Sequence, residues 1–249
     1  MQHRYVGDVG DFGKYALLNA LASSGFRLGI IWYLNEYEES NSDGKFISFD
    51  HLNTLDSQLF EKLRLIRTVK RHLSQINSGG VLPADTVFFD GALPRPKRPC
   101  YTPDERDSEQ KHRGKWFDDA FDAMSAAQLV FLDPDNGIAP NGLGTHSTRA
   151  CKYAFECEVK KIVASGRSVI VYQHQNRNGT LEQQVERSMQ RFADVVTGAF
   201  GITFHAYAVR SYIILPASSI HKERLSSCCN RFLENGWNRV FRVLGALPA

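Results

Sequence analysis

Hydrophobic positions along the chain form two patterns, short continuous apolar runs and longer stretches in which apolar residues recur every three or four positions. The continuous runs predict buried β-strands at 28–34, 86–89, 127–132 and 168–172. The periodic stretches predict amphipathic helices at 12–24, 56–76, 116–126, 149–165 and 180–192. Two further runs, 202–209 and 212–215, lie close enough together to pair as an antiparallel hairpin at the edge of a sheet.

The order of these elements predicts the fold class. Strands alternate with helices over most of the chain, which favours an α/β fold whose sheet is mostly parallel, with the hairpin as its C-terminal antiparallel part. A chain of 249 residues is long enough for one such domain, 1–249. Segment 94–114 is rich in Pro, Lys, Arg, Asp and Glu, so it predicts a basic surface insertion or mobile lid within that domain.

Composition narrows the class of protein. The content of 43% hydrophobic and 23% charged residues is typical of a globular domain in water. A net charge of +3 is compatible with an RNA or DNA partner but does not by itself argue for one. The five cysteines include no CxxC pair, so we expect reduced thiols and a cytoplasmic location. No stretch approaches the roughly 18 apolar residues of a membrane span, so no membrane partner is expected.

Polar side chains follow the predicted strands where the strands end. Asn35 follows 28–34, Asp90 follows 86–89, and Asp133 and Asp135 follow 127–132. The carboxyl ends of parallel strands meet at one edge of a sheet, where ligands bind in open α/β folds. Carboxylates and amides at that edge suit an amine, a ribose hydroxyl or a metal ion. The alternative is that each of them caps a helix or shapes a turn.

Two more polar segments are candidates for ligand contacts. His174 and Arg177 follow the strand predicted at 168–172, so they face the same crevice. Segment 4–15 combines three glycines with Asp8, Asp11 and Lys14 near the start of the first helix. Glycine allows a backbone to approach a ligand closely, although the same pattern also serves as the entry into a capped helix.

Five short motifs carry a resemblance to a known family. They are Asp-Phe-Gly-Lys-Tyr at 11–15, Trp-Tyr-Leu-Asn-Glu-Tyr at 32–37, Asp-Gly at 90–91, Leu-Asp-Pro-Asp at 132–135 and Val-Tyr-Gln-His at 171–174. In this order the chain resembles a distant relative of the bacterial large-subunit ribosomal RNA adenine-N6 methyltransferases. It also resembles an uncharacterised bacterial family that carries an Asp-Pro-Asp-Asn-Gly loop. The first resemblance implies a Rossmann-like class I methyltransferase sheet, S-adenosylmethionine as the cofactor and a nucleic-acid base as acceptor.

The resemblance also implies roles for individual residues. Asp133 matches the catalytic acid, which accepts hydrogen bonds from the exocyclic amine and orients it toward the methyl donor. Asp135 and His174 are the other candidate catalytic residues, and Asn136 and Arg177 are candidates for binding substrate. The positions matching cofactor-binding residues are Lys14, Tyr15, Asn35, Tyr37, Asp90 and Gly91.

This chain departs from the family pattern in two loops. Segment 35–40 replaces a glycine-rich first loop, and Asp135-Asn136 replaces a proline and an aromatic residue that would stack on the base. Two other functions therefore remain open. One is magnesium-dependent phosphodiester hydrolysis by Asp90, Asp133 and Asp135. The other is non-catalytic binding of a nucleic acid or nucleotide on a methyltransferase fold.

Overall fold

The computed structural model describes residues 1–36, 44 and 46–245. Its α-helices are α1 (Val9–Ser23), α2 (Ser57–Val69), α3 (Leu73–Ser78), α4 (Pro103–Ala123), α5 (Glu156–Ala164), α6 (Leu181–Gln190) and α7 (Ser219–Glu234). Its strands are β1 (Leu28–Ile31), β2 (Val87–Phe89), β3 (Leu129–Leu132), β4 (Gly137–Ile138), β5 (Tyr153–Ala154), β6 (Ser168–His174), β7 (Phe200–Ala206), β8 (Ala208–Leu215) and β9 (Phe241–Leu244).

Seven of these strands form one mixed sheet in the order β2-β1-β3-β6-β8-β7-β9. The first four in this order are parallel, whereas β8, β7 and β9 are joined by antiparallel pairings. The predicted α/β class and the antiparallel hairpin are therefore confirmed. The hairpin does not form the edge of the sheet, however, because β9 pairs with β7 and β8 pairs with β6.

The strand side chains alternate between two apolar cores, one on each face of the sheet. On β3, Leu129 and Phe131 belong to the core that is covered by α1, α2 and α7. Val130 and Leu132 belong to the other core, which is covered by α4, α5 and α6. Burial on both faces explains why β3 is a continuous apolar run. No helix in the described part of the chain is both long and apolar enough to cross a bilayer.

Three predicted helices have different bounds in the structure. The helix predicted at 56–76 is two helices, because Lys70 is extended and His72 caps α3 by accepting a hydrogen bond from the Ser74 N–H. The helix predicted at 149–165 is confined to α5, since Tyr153–Ala154 pairs with β4. The helix predicted at 116–126 starts much earlier, at Pro103, where Thr102 and Glu105 form a capping box.

The second half of the segment predicted as an insertion or lid is therefore helical and anchored. Arg113 on α4 is buried and donates to both carboxylate oxygens of Glu158, at 2.7 and 3.0 Å. It also donates to the backbone carbonyls of Ala150 and Tyr153. A fully hydrogen-bonded buried arginine fixes this part of α4 against α5.

Candidate functional site

A cavity of about 190 Å³ lies at the carboxyl ends of β3 and β6, beside the first turns of α1 and the start of β8. β3 lies between β1 and β6 and ends at Leu132, so the chain delivers Asp133 to the middle of this sheet edge. The next three residues, Pro134, Asp135 and Asn136, line the cavity with Asp133. This is the edge at which ligands bind in open α/β sheets.

The floor of the cavity is a buried cluster of charges. Lys14 Nζ lies 2.8 Å from Asp133 Oδ2 and 2.7 Å from Asp11 Oδ1, and all three residues are at most 4% exposed. Lys14 therefore occupies one oxygen of each carboxylate. No donor among the described residues contacts Asp133 Oδ1, which leaves this oxygen available to a donor in the cavity.

Burial and the attraction between opposite charges shift the pKa values of Asp133 and Lys14 in opposite directions. Burial raises the pKa of Asp133, and the nearby ammonium groups of Lys14 and Met1 oppose the rise only in part. Burial lowers the pKa of Lys14, but Asp11 and Asp133 outweigh it, so the net pKa lies well above the ordinary value. Lys14 is therefore a fixed positive charge beneath the cavity.

Asp135 is held on the other side of the cavity by several donors. Its carboxylate lies 2.8 Å from the Met1 ammonium and accepts hydrogen bonds from Gln2 Nε2 and Asn35 Nδ2. Although burial raises the pKa of Asp135, these contacts outweigh burial and lower it below the ordinary value. The Met1 ammonium also donates to the backbone carbonyls of Tyr33 and Asp133, so Asp135 belongs to a buried network of ion pairs and hydrogen bonds.

Aromatic side chains and one arginine from β6 and β8 form another part of the cavity lining. Tyr172 on β6 and Tyr212 on β8 are paired across the two strands, and both line the cavity. The Tyr212 hydroxyl is buried without a hydrogen-bond partner in the described part of the chain. Arg210 Nη2 lies 3.4 Å from Asp8 Oδ2, at the N-cap of α1. Burial lowers the pKa of Arg210, but Asp8 outweighs burial and keeps the guanidinium charged.

The structure brings together only part of the predicted set. Five residues line the cavity, namely Lys14, Asp133, Asp135, Asn136 and His174. Asn35 reaches it indirectly through Asp135. Tyr15 is fully buried with its ring against Trp32, outside the cavity lining.

The remaining candidates are elsewhere or outside the described residues. Asp90 and Gly91 follow β2, two strands away from β3, and Asp90 accepts a hydrogen bond from Asn77. Arg177 is exposed beyond β6 and is not part of the lining. Tyr37 lies outside the described residues.

Two residues that line the cavity, Arg210 and Tyr212, were not predicted from the sequence. Both lie on β8, whose antiparallel register places Arg210 opposite His174 and Tyr212 opposite Tyr172. The predicted runs, 202–209 and 212–215, leave Arg210 in the turn between them, whereas the structure places the turn at Tyr207 and Arg210 within β8. Only the pairing with β6 shows that these side chains face the end of β3.

Of the three carboxylates in the metal-dependent alternative, Asp133 and Asp135 line the cavity and Asp90 does not. In the described ranges, no group of three or more His, Cys, Asp or Glu side chains is arranged to hold a metal ion. Asp90 follows β2 and accepts a hydrogen bond from Asn77, whereas Asp133 and Asp135 follow β3.

Comparison with known proteins adds a structural likeness only. No protein-family model matches the chain, and no curated protein matches it. The chain is similar to the crystal structure of protein LPL1258 from Legionella pneumophila str. Philadelphia 1, of family model DUF519, at a TM-score of 0.46. The two share 12% identity, and the match covers 97% of each chain. Function is therefore inferred from the side chains of the site itself.

Proposed function

We propose that the cavity binds a planar ring that carries an exocyclic amine, the chemistry of a nucleic-acid base such as adenine or cytosine. The observation that carries this proposal is Asp133, whose Oδ2 is taken by Lys14 while Oδ1 is left for a donor in the cavity. A buried carboxylate with one unoccupied oxygen suits an amine N–H, because a charge-assisted hydrogen bond replaces the hydrogen bonds to water that the carboxylate loses on burial.

The walls of the cavity support a flat aromatic ligand. Tyr172 is partly exposed and offers a ring surface on which a base can stack, and stacking on aromatic side chains tolerates any base. The unpartnered Tyr212 hydroxyl adds a donor for a ring nitrogen. Asp133 and Tyr212 together give the site one acceptor and one donor, as the edge of an aminated base requires.

The size of the cavity supports one ring system. Its volume of about 190 Å³ is below the roughly 300–1,000 Å³ of pockets that enclose drug-sized ligands. A base therefore fits as the tip of a larger molecule, with its sugar and phosphate outside.

The residues that the resemblance assigns to S-adenosylmethionine do not all meet at the cavity. Segment 32–36 after β1 contains no glycine, and the N–H of Asn35 and the carbonyl of Tyr33 are both bonded to Met1. Asp90 and Gly91 do not line the cavity that holds Asp133.

Methyl transfer to the bound amine is a second candidate function. It is favoured by the position of Asp133 at the end of a central parallel strand, in a sheet that continues into an antiparallel hairpin.

A calorimetric titration with adenosine and inosine tests the first proposal, because inosine lacks the exocyclic amine. Adenosine should bind more tightly than inosine, and Asp133→Ala should weaken adenosine binding by roughly 10- to 150-fold, the value of a hydrogen bond to a charged group. Tyr212→Phe should weaken it by roughly 2- to 12-fold. Tyr101→Phe, which changes an exposed tyrosine outside the cavity, is the matched control. Equal binding of the two nucleosides, or adenosine binding that survives Asp133→Ala, would refute the role of Asp133.

A second titration tests methyl transfer, with S-adenosylmethionine and S-adenosylhomocysteine as ligands and Asp90→Ala as the variant. Saturable binding that Asp90→Ala abolishes would support a cofactor site at the end of β2. Absence of binding to either ligand would reject methyl transfer by this chain and leave base binding as its function.

A further inference from the structure

Two large aromatic rings lie exposed at the rim of the cavity. Phe46 is 48% exposed and Tyr207 is 54% exposed, and their ring centroids are 5.1 Å apart with the planes tilted by 34°. Phe46 lines the cavity, and so does Ala208, the residue after Tyr207. The rings therefore form a small apolar surface that continues the aromatic wall outward. We refer to Phe46 and Tyr207 as the rim pair.

The backbone holds Tyr207 in place at a conformational cost. Tyr207 is the turn residue between β7 and β8 and has φ +64°, in the left-handed region that favours glycine or asparagine. Its hydroxyl donates to the Ser48 carbonyl at 2.6 Å, beside Phe46. A bulky residue in this region is strained, and strain of this kind concentrates at ligand-binding sites.

Partly buried basic side chains lie near the rim pair. Arg67 on α2 donates to the carbonyl of Ile47 at 2.7 Å, and Arg4 stacks on Tyr5, which lines the cavity. Segment 57–71 carries five basic residues and one acidic residue, which are Lys62, Arg64, Arg67, Lys70, Arg71 and Glu61. Exposed aromatic rings next to basic side chains are the combination that binds single-stranded nucleic acid.

We propose that the rim pair stacks the base that neighbours the one in the cavity, so that the site takes a single-stranded nucleic acid. This inference rests on the proposed function, since it assumes that a base enters the cavity. The strand would run from the cavity over Phe46 and Tyr207, with its phosphates toward Arg67 and Arg4. A duplex would bind less well, because its bases are paired and stacked and one would have to leave the helix.

Fluorescence anisotropy tests whether the rim pair stacks a base. The ligands are labelled single-stranded oligonucleotides of about 10 nucleotides, as RNA and as DNA. Tyr207→Gly removes the ring and suits the backbone conformation, and it should weaken single-strand binding by roughly 5- to 150-fold, the contribution of one stacked base. Tyr207→Phe keeps the ring and should bind within about twofold of the wild type. Tyr101→Ala removes an exposed ring elsewhere and is the matched control. Asparagine also adopts the left-handed region, so Tyr207→Asn replaces Tyr207→Gly in the binding measurement if the glycine variant does not fold.

The adenosine titration separates this inference from the proposed function. If Tyr207→Gly lowers oligonucleotide affinity while adenosine still binds, both proposals stand. If the wild type binds oligonucleotides through Tyr207 but does not bind adenosine, the rim pair is a stacking surface, but the base-binding cavity fails, and with it the inference that the stacked base neighbours one in the cavity. Unchanged oligonucleotide affinity in Tyr207→Gly, preference for a duplex, or no oligonucleotide binding at all would overturn the inference, whatever adenosine does.

Discussion

Lys14 Nζ lies 2.8 Å from Asp133 Oδ2, and this contact joins the first helix of the chain to the end of the third strand. The same ammonium contacts Asp11, so one cation serves two buried carboxylates. The arrangement positions Asp133 without using its second oxygen. A single ion pair thereby sets both the local stability and the chemistry of the cavity.

Replacing Lys14 should destabilise the protein strongly. Lys14→Met keeps most of the side-chain volume but removes the cation that contacts both Asp11 and Asp133, and breaking a buried pair costs about 3–5 kcal/mol. Urea unfolding measures this loss as a lower midpoint at constant slope. Lys115→Met, which removes an exposed lysine 3.2 Å from Asp119, should change stability by no more than about 0.5 kcal/mol. A loss for Lys14→Met no larger than that of the control would show that the ion pair contributes nothing to stability.

Arg113→Met should be similarly destabilising, because it leaves Glu158 buried with only the hydroxyl of Tyr33 and the N–H of Phe155 as donors. We expect a loss of about 3–5 kcal/mol in the free energy of unfolding. The control is Lys111→Met, two residues earlier on α4, whose exposed side chain pairs with Asp107. Hydrogen exchange gives a second measurement. Slow exchange of the amides after the first turn of α4 would support an anchored helix. Fast exchange throughout 103–114 would support the prediction of a mobile lid instead.

The sequence predicted the β3–Asp133 unit well, because a strand buried on both faces must be apolar and the first acidic residue marks its end. Segment 103–114 was harder to interpret. Its composition is polar because most of its side chains face water, and the interaction that anchors it is between Arg113 and the distant Glu158. Periodicity describes which face of a helix is apolar, but it does not identify a buried ion pair.

The glycines of segment 4–15 illustrate the same limit. Their pattern predicts either close approach of a ligand or entry into a capped helix, and in the structure two of them make room for side chains of the protein itself. A Cβ on Gly10 would lie 2.4 Å from Arg210 Nε, and a Cβ on Gly13 would lie 2.8 Å from the Phe204 ring. Both contacts are with the C-terminal hairpin, and no local pattern in the sequence specifies them.

Gly10→Ala should therefore disturb the cavity wall. The added methyl group would displace Arg210 from Asp8 and should cost about 1–3 kcal/mol, as overpacking does in a close-packed site. Gly114→Ala is the matched control, because its Cβ would meet nothing within 4 Å in the interior of α4. Alanine is a better helix former than glycine, so this control should gain about 0.5–1 kcal/mol. Thermal unfolding of the two variants measures both effects, and equal shifts would rule out a steric role for Gly10.

Adenosine binding should weaken as the pH falls, because ionised Asp133 accepts the amine hydrogen more strongly than protonated Asp133 does. Burial raises the pKa of Asp133, so protonation begins at a higher pH than for an ordinary aspartate of pKa about 3.9. Affinity should be constant at neutral pH and fall by at most about tenfold per pH unit once Asp133 titrates.

Asp133→Asn identifies the titrating group in that measurement. The buried Asp11, whose pKa is also raised by burial, remains in this variant and contacts Lys14 rather than the cavity oxygen. If Asp133 is the acceptor, the variant binds weakly with a much flatter pH profile. An unchanged profile would assign the titration to Asp11 or to the ligand, and would separate the acceptor role of Asp133 from its ion pair with Lys14.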